Sequence, residues 1–299
     1  MNMSVQSAVG EFLVGVTGEV SESTQEWYAR CLSSFVEFVG DGCLNDVTAA
    51  TLRAYRADLL GREMSPYSVH GRQRAVRRLF SWLLKEGVIT HNVALDVPFV
   101  RLPNEPPKAL ADDDMMRLLE QLPAESVRDR AIILFLIDTG CRRGGLCSLT
   151  LDSVDLPNRC ATVVEKGKKG RRVYFTEMTA ETLALYLSVR PAVGCDALFV
   201  SVNGTALTED GVRMLLARVG KRAGVKGRIN AHSFRHAFAR NFLRNGGNLA
   251  ALGRLLGHAP GSPVTAKYYG VWDDRDLQEF HGRFSPLSGM RAGDKQSGA

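Results

Sequence analysis

Residues 231–246 read AHSFRHAFARNFLRNG, and the spacing of apolar residues in this stretch predicts a helix. His232 and Arg235 stand three positions apart and therefore share one face of that helix, whereas Phe234 is predicted to face the core. An imidazole beside a guanidinium is a poor structural pair, because the cation opposes protonation of the histidine. It is a sensible pair for a binding site, since both side chains can donate hydrogen bonds to one phosphoryl group. His236 begins the next turn and is predicted to be a buried histidine bonded to a backbone carbonyl.

Downstream of this helix, a histidine and two tyrosines follow at a short distance. A Leu-Gly-His turn at 256–258 ends a helical stretch, and Thr-Ala-Lys-Tyr-Tyr-Gly follows at 265–270. Tyr268 and Tyr269 therefore stand ten and eleven residues after His258. A Tyr-Tyr pair alone is typical of core or surface packing, so its meaning depends on the neighbouring motifs.

Two segments upstream carry basic residues that can reach a phosphate. Thr-Gly-Cys-Arg-Arg-Gly-Gly-Leu occupies 139–146, where Gly140 can break an apolar helix and place Arg142 at the start of the next one. An arginine there adds a planar fork of donors to the positive end of a helix dipole. The runs RCATVVE and RRVYFTE bracket GKKG and predict a β-hairpin with a basic tip, on which Lys166 can protonate a leaving alkoxide. Taken singly, Arg142 is equally typical of a surface residue, and Lys166 is more typical of a solubilising turn.

In chain order, the segments TGCR, EKGKKGRR, HSFRH, LLGH and TAKYYG resemble the catalytic domain of the tyrosine recombinases, the phage integrase family. The resemblance covers nearly the whole chain up to about Leu287 and is most specific in these motifs. It implies that DNA is cut and rejoined through a 3′-phosphotyrosine link, with no metal ion, ATP or other cofactor. The residues that it implies are two arginines that grip the scissile phosphate, a lysine general acid, two histidines and a tyrosine nucleophile: Arg142, Arg235, Lys166, His232, His258 and Tyr269, with Tyr268 the less favoured nucleophile.

Position 145 departs from the family pattern, which has an acidic residue three positions after the first arginine, where this chain has Gly145. The acidic residue supports neighbouring side chains, so its absence raises the question of how the site is held together. A DNA-binding protein with the same fold and a weak site therefore stays open as an alternative to a recombinase. A type IB-like topoisomerase, which shares the phosphotyrosine chemistry, is a second alternative. A structural or small-molecule-binding protein leaves the ordered motifs unexplained.

The first hundred residues predict four helices, and the last of these carries a cluster of basic residues. Its apolar stripe is formed by Val76, Leu79, Phe80 and Leu83. The basic residues fall largely off that stripe and have no acidic residues between them, which predicts contact with the DNA backbone. The complete set of predicted DNA contacts, including three on the hairpin, is Arg72, Arg74, Arg77, Arg78, Lys85, Lys168, Lys169 and Arg171.

A proline-rich segment, VPFVRLPNEPPKAL, separates the helical block from the rest of the chain and predicts a linker. We therefore expect a helical, DNA-binding core-binding domain at 1–103, a catalytic domain at 104–287 and a disordered tail at 288–299. The predicted fold is mainly α with a small β-hairpin or sheet. The mixed α/β catalytic domain and the helical domain together resemble the two-domain architecture of tyrosine recombinases.

Composition narrows the class of protein further. The net charge of +6 is compatible with a polyanionic partner. The six cysteines show no CxxC pair, which argues against a zinc site or a disulfide framework, and no metal is expected. No signal peptide and no apolar run of the roughly eighteen residues that a membrane span needs are found, so a cytoplasmic, nucleoid-associated protein is expected. The expected partner is double-stranded DNA with specific recombination sites, on which the protein forms a dimer to tetramer.

Overall fold

The computed structural model describes residues 3–103, 109–123, 126–165, 170–226, 229–259, 262, 265–266, 274–285 and 287. The chain divides into two compact units, Met1–Glu105 and Pro106–Ala299. Helices dominate and one small sheet is present, which confirms the predicted fold class. The tail predicted to be disordered, 288–299, lies outside the described residues.

The first unit is built from four helices, which are α1 (Val5–Gly15), α2 (Glu22–Val39), α3 (Ala49–Gly61) and α4 (Pro66–Lys85). Helix α4 begins with a proline, whose fixed φ and missing N–H suit the first helical turn. Its predicted apolar stripe is buried among residues of the other three helices, with Leu79 and Leu83 fully inaccessible to solvent. Burying this stripe leaves the basic residues of α4 nearer the surface.

The described helices of the second unit include one strongly apolar helix, α6. They are α5 (Asp112–Glu120), α6 (Val127–Thr139), α7 (Arg143–Cys147), α8 (Glu177–Val189), α9 (Glu209–Arg222), α10 (Ala231–Arg244), α11 (Leu249–Leu256) and α12 (Asp274–Phe284). Residues 131–136 of α6 are all buried, and α8 and α10 pack against this helix. The Asp138 carboxylate, near the end of α6, accepts hydrogen bonds from Thr176 and Thr179 at the start of α8. Helix α6 is thus the central support of this unit.

The sheet has three antiparallel strands in the order β1 (Val154–Asp155), β2 (Cys160–Val164) and β3 (Gly170–Tyr174). Strands β2 and β3 pair from Cys160 opposite Tyr174 to Val164 opposite Gly170, as the hairpin pattern predicted. The short strand β1 was not predicted, because two residues are too few to show an alternating pattern.

Two further observations concern the chain's chemistry. Within the described ranges, no helix combines the length and apolar character needed to cross a bilayer. All six cysteine thiols are free. Burial raises the pKa of Cys141 to about 11 and that of Cys147 to about 12, so both thiols stay protonated near neutral pH and are poor nucleophiles.

Candidate active site

Arg142 is presented by a sharp break between α6 and α7. Helix α6 ends at Gly140, whose left-handed backbone (φ 55°) favours glycine, and a Cβ there would meet the Phe238 ring at 2.8 Å. Arg142 then adopts an extended conformation as the N-cap of α7. Its side chain is 37% exposed, and its guanidinium Nη1 donates to the Glu165 carboxylate. The arginine is therefore held from one side while remaining open to a ligand.

Arg235 lies on α10 and is only 2% exposed. Its Nη1 donates to the Gly140 carbonyl at 3.0 Å, and its Nη2 donates to the Leu256 carbonyl. Nη2 also lies 3.2 Å from His258 Nε2. The buried guanidinium thus joins the break before Arg142 to the turn after α11.

His258 follows directly after this second turn. Gly257 ends α11 in the left-handed region, at φ 70°, which directs the next residue back toward α10. His258 Nδ1 lies 2.7 Å from Thr265 Oγ1. Since Arg235 can only donate, His258 Nε2 acts as the acceptor and the ring proton lies on Nδ1. Burial and then the charges of Arg235 and Arg142 lower the pKa of His258, which favours this neutral form.

His232 occupies the first turn of α10 and is exposed. Burial of part of its ring, followed by the charges of Arg235 and Arg142, lowers the pKa of His232, so the neutral imidazole predominates near neutral pH. His236 lies one turn later with its ring 6.0 Å from that of His232, and burial, then His232, lower its pKa to about 4. Phe234 is fully buried, as predicted. His236 is only half-buried, so the expectation of a buried histidine was too strong.

Arg235 contacts both His258 and the Gly140 carbonyl, two residues before Arg142. The charges of Arg142 and Arg235 also lower the pKa of both His232 and His258, so these four predicted catalytic residues lie near one another. Two guanidinium groups and two neutral imidazoles can together donate hydrogen bonds to a phosphoryl group and exchange a proton with it. Within the part of the chain that the structure describes, no group of three or more His, Cys, Asp or Glu side chains could hold a metal ion. The remaining predicted catalytic and hairpin residues, Lys166, Lys168, Lys169, Tyr268 and Tyr269, lie outside the described residues.

Glu165 and Arg171 complete the cluster in a way that the sequence did not predict. The Glu165 carboxylate accepts from Arg142 and, at 3.0 Å, from Arg171 Nη2. Arg171 Nη1 donates to the Leu255 carbonyl at the end of α11, and the Arg171 side chain is only 12% exposed. Arg171 was predicted to contact DNA, but it lies inside this network. The signal for Glu165 was a lone acid beside the basic hairpin tip.

The basic residues of α4 differ in their surroundings. Arg74 and Lys85 are exposed, and Arg78 forms a loose ion pair with Glu19 at 3.6 Å. Arg72 is partly buried and donates to Ser34 and Ser68.

The guanidinium of Arg77 is bound by residues of its own unit. It donates to the carbonyls of Ala94 (3.3 Å) and Val97 (2.8 Å), and its guanidinium lies 3.9 Å from the centre of the Phe99 ring. These contacts attach the segment after α4 to that helix.

The phage integrase family model matches residues 108–275, and the tyrosine recombinase XerC of Vibrio campbellii is 31% identical over 95% of this chain and 93% of its own length. The Tn1549 transposon integrase in complex with transposon right end DNA covers 95% of this chain and 100% of its own, with a TM-score of 0.78 at 18% identity. A lambda integrase tetramer bound to a Holliday junction covers 91% and 80%, with a TM-score of 0.75 at 17% identity, and both structures show the shared fold. Because the family model spans more than half of the chain and the Vibrio relative matches almost all of it, the chain belongs to the phage integrase family of tyrosine recombinases.

Proposed function

We propose that this protein is a site-specific DNA recombinase that cuts and rejoins DNA strands through a covalent 3′-phosphotyrosine intermediate. The observation that carries the proposal is the cluster formed by Arg142, His232, Arg235 and His258 around the two helix breaks. These residues come from three separate segments, and we propose that one phosphate contacts all four.

In the proposed reaction, the hydroxyl oxygen of Tyr269 attacks the scissile phosphorus, and the bond from phosphorus to the 5′-oxygen breaks. Lys166 donates a proton to the departing 5′-oxygen, while the 3′-phosphate stays on the tyrosine. The 5′-hydroxyl of the partner strand then attacks the phosphotyrosine, and the tyrosine leaves with a proton. The covalent link conserves the energy of the broken bond, so rejoining needs no ATP.

The cluster matches the charges that this reaction creates. Negative charge builds on the equatorial oxygens of the phosphate, and Arg142 and Arg235 are fixed cations that oppose it. His232 is exposed and its lowered pKa keeps it neutral, so it can assist removal of the tyrosine proton. We assign His258 a hydrogen bond to the phosphate. In the DNA complex this requires the other tautomer, in which Thr265 Oγ1 donates to Nδ1 and the Nε2–H turns from Arg235 to a phosphate oxygen.

A suicide substrate tests the proposed function. Duplexes that bind the protein are selected from a random-sequence library, and a nick is placed beside the cleavage position so that the cut fragment diffuses away. We expect a protein–DNA adduct on the 3′ end, and we expect it in EDTA, because the arginines supply the charge stabilisation. A strict requirement for added Mg²⁺ would contradict this account. No adduct with any selected duplex would leave DNA binding as the function.

We further propose that residues 1–103 form the DNA-binding domain and 104–287 the catalytic domain, and that double-stranded DNA contacts the exposed face of α4.

Exchange between two sites requires several active subunits, so we propose assembly as a dimer to tetramer on DNA; the lambda integrase described above is a tetramer. We place the protein in the cytoplasm, associated with the nucleoid. Lys168 and Lys169 remain proposed contacts to the DNA backbone.

Substituting the exposed basic residues of α4 is expected to have a different effect from substituting Arg77, whose guanidinium is bound within its own unit. Replacing Arg74, Arg78 and Lys85 by Gln should lower the salt dependence of DNA binding by about 0.9 in log–log slope for each phosphate that the protein no longer neutralises. Arg77→Gln is the matched control, because it removes two hydrogen bonds and a cation–π contact within the first unit. It should lower the melting temperature and leave the salt slope of DNA binding nearly unchanged. Fluorescence anisotropy at several salt concentrations, with thermal melts, measures both effects. An unchanged slope in the triple variant would mean that this face meets only solvent.

A further inference from the structure

Glu165 is a buried acid whose contacts all lead to the candidate active site. Its side chain is only 9% exposed. One carboxylate oxygen, Oε1, accepts from the Arg142 backbone N–H at 3.1 Å and from Arg171 Nη2 at 3.0 Å, while Oε2 accepts from Arg142 Nη1. Burial opposes ionisation, but the charge of Arg171 and the hydrogen bonds from both arginines outweigh it, and the pKa of Glu165 lies below its ordinary value. The carboxylate is therefore charged near neutral pH and grips Arg142 by both its backbone and its side chain.

Gly145 provides the space that this carboxylate occupies. A Cβ at position 145 would stand 3.2 Å from both Cγ and Oε1 of Glu165 and 3.4 Å from Cβ of Val163. The two distances to Glu165 are shorter than ordinary van der Waals contacts, so Glu165 would have to move by a few tenths of an ångström. A side chain at 145 and the present position of Glu165 therefore compete for one volume.

The local structure explains how an acid from the hairpin reaches α7. Strand β2 ends at Val164, whose N–H donates to Ser148 Oγ at 2.8 Å, and that hydroxyl donates to the Gly145 carbonyl at 2.8 Å. This link fixes the end of β2 beside α7. The next residue, Glu165, is then directed toward Arg142.

We propose that Glu165 is the positioning residue for Arg142, and that it performs from the hairpin the supporting role that an acid at position 145 would perform from α7. The proposal rests on the proposed function, since it assigns Arg142 to the phosphate. Glu165 also directly precedes Lys166, the proposed general acid, and through Arg171 it reaches the end of α11. One carboxylate thus orients the arginine and anchors the base of the hairpin.

Three variants test the proposal by the single-turnover rate of adduct formation on the suicide substrate. Glu165→Gln keeps the size of the side chain but removes its charge, and it should slow the reaction by about 10²-fold, the cost of a displaced catalytic group, with little change in DNA affinity. Gly145→Glu combined with Glu165→Gly returns an acid to the same volume and should recover much of the rate. Glu209→Gln is the matched control, because Glu209 pairs at 2.7 Å with the neighbouring Arg143 on the surface, and it should leave the rate unchanged.

A measurement independent of activity separates this inference from the proposed function. In nuclear magnetic resonance spectra, the guanidinium signals of Arg142 should show hindered rotation in the wild type and in Glu209→Gln, and free rotation in Glu165→Gln. Loss of hindrance together with a slow reaction supports the proposal. A Glu165→Gln protein as fast as Glu209→Gln, a relocated acid that gives no recovery, or unchanged Arg142 signals would overturn it. A wild-type protein that forms no adduct contradicts the proposed function, and the Arg142 signals then decide the role of Glu165.

Discussion

Tyr269→Phe is expected to abolish the covalent protein–DNA adduct and to leave DNA binding in place. Phenylalanine removes only the hydroxyl, so packing is nearly preserved while the nucleophile is lost. The attacking oxygen must lie close to phosphorus and in line with the departing 5′-oxygen. A residue next to the nucleophile cannot substitute for it, because its hydroxyl would lie at a different position relative to the phosphorus.

Tyr268→Phe is the control for this prediction and should still form the adduct. Thr265-x-x-Tyr spacing favours Tyr268. Tyr269-Gly-Val-Trp272, followed by an acidic segment, instead resembles the family members that carry Tyr-x-x-aromatic before an acidic helix, in which the residue before the tyrosine varies freely. Denaturing gels with labelled suicide substrate resolve the two cases. If Tyr268→Phe alone loses the adduct, the nucleophile is Tyr268. If neither substitution has an effect, the phosphotyrosine mechanism is wrong.

Arg235→Lys is expected to slow adduct formation by about 10²- to 10³-fold, the range for loss of one transition-state donor. Lysine keeps the positive charge but cannot bridge the Gly140 and Leu256 carbonyls as the planar guanidinium does. A buried carbonyl that loses its donor costs about 1–3 kcal/mol, so the melting temperature should fall as well. Single-turnover rates and thermal melts measure the two effects.

Arg240→Lys supplies the comparison on the same helix. Arg240 also donates to a carbonyl, that of Leu110 at 3.2 Å, but its other contact is Asp112 at 3.5 Å, away from the cluster. Its substitution should change stability slightly and leave the reaction rate near that of the wild type. Equal rates for both lysine variants would remove Arg235 from the catalytic residues.

The sequence was a good guide where a pattern is local. Three predictions depend on periodicity within a few residues: the three-residue spacing of His232 and Arg235 on one helix, the burial of Phe234, and the hairpin. The structure agrees with all three. The helix break at Gly140 was predicted for the same reason, since a glycine after an apolar helix is a local signal.

Long-range contacts were not predictable from such patterns. Arg77 and Arg171 have the sequence surroundings of surface cations, yet their guanidinium groups bind carbonyls that are distant in sequence, at Val97 and Leu255. Glu165 lies 23 positions from Arg142 along the chain, and the two residues meet because β2 packs against α7. From the sequence, Gly145 therefore indicated that an acid beside Arg142 was missing. In the structure, Glu165 from the hairpin contacts Arg142.

The burial of helix α6 determines which part of the site can open. Residues 131–136 have almost no access to solvent, so we expect their amides to be among the slowest of the second unit to exchange with deuterium. Arg142 follows this helix by three residues, and its backbone is therefore attached to the part of the unit that opens last. We therefore expect Arg142 to keep its place when less buried parts of the unit open locally.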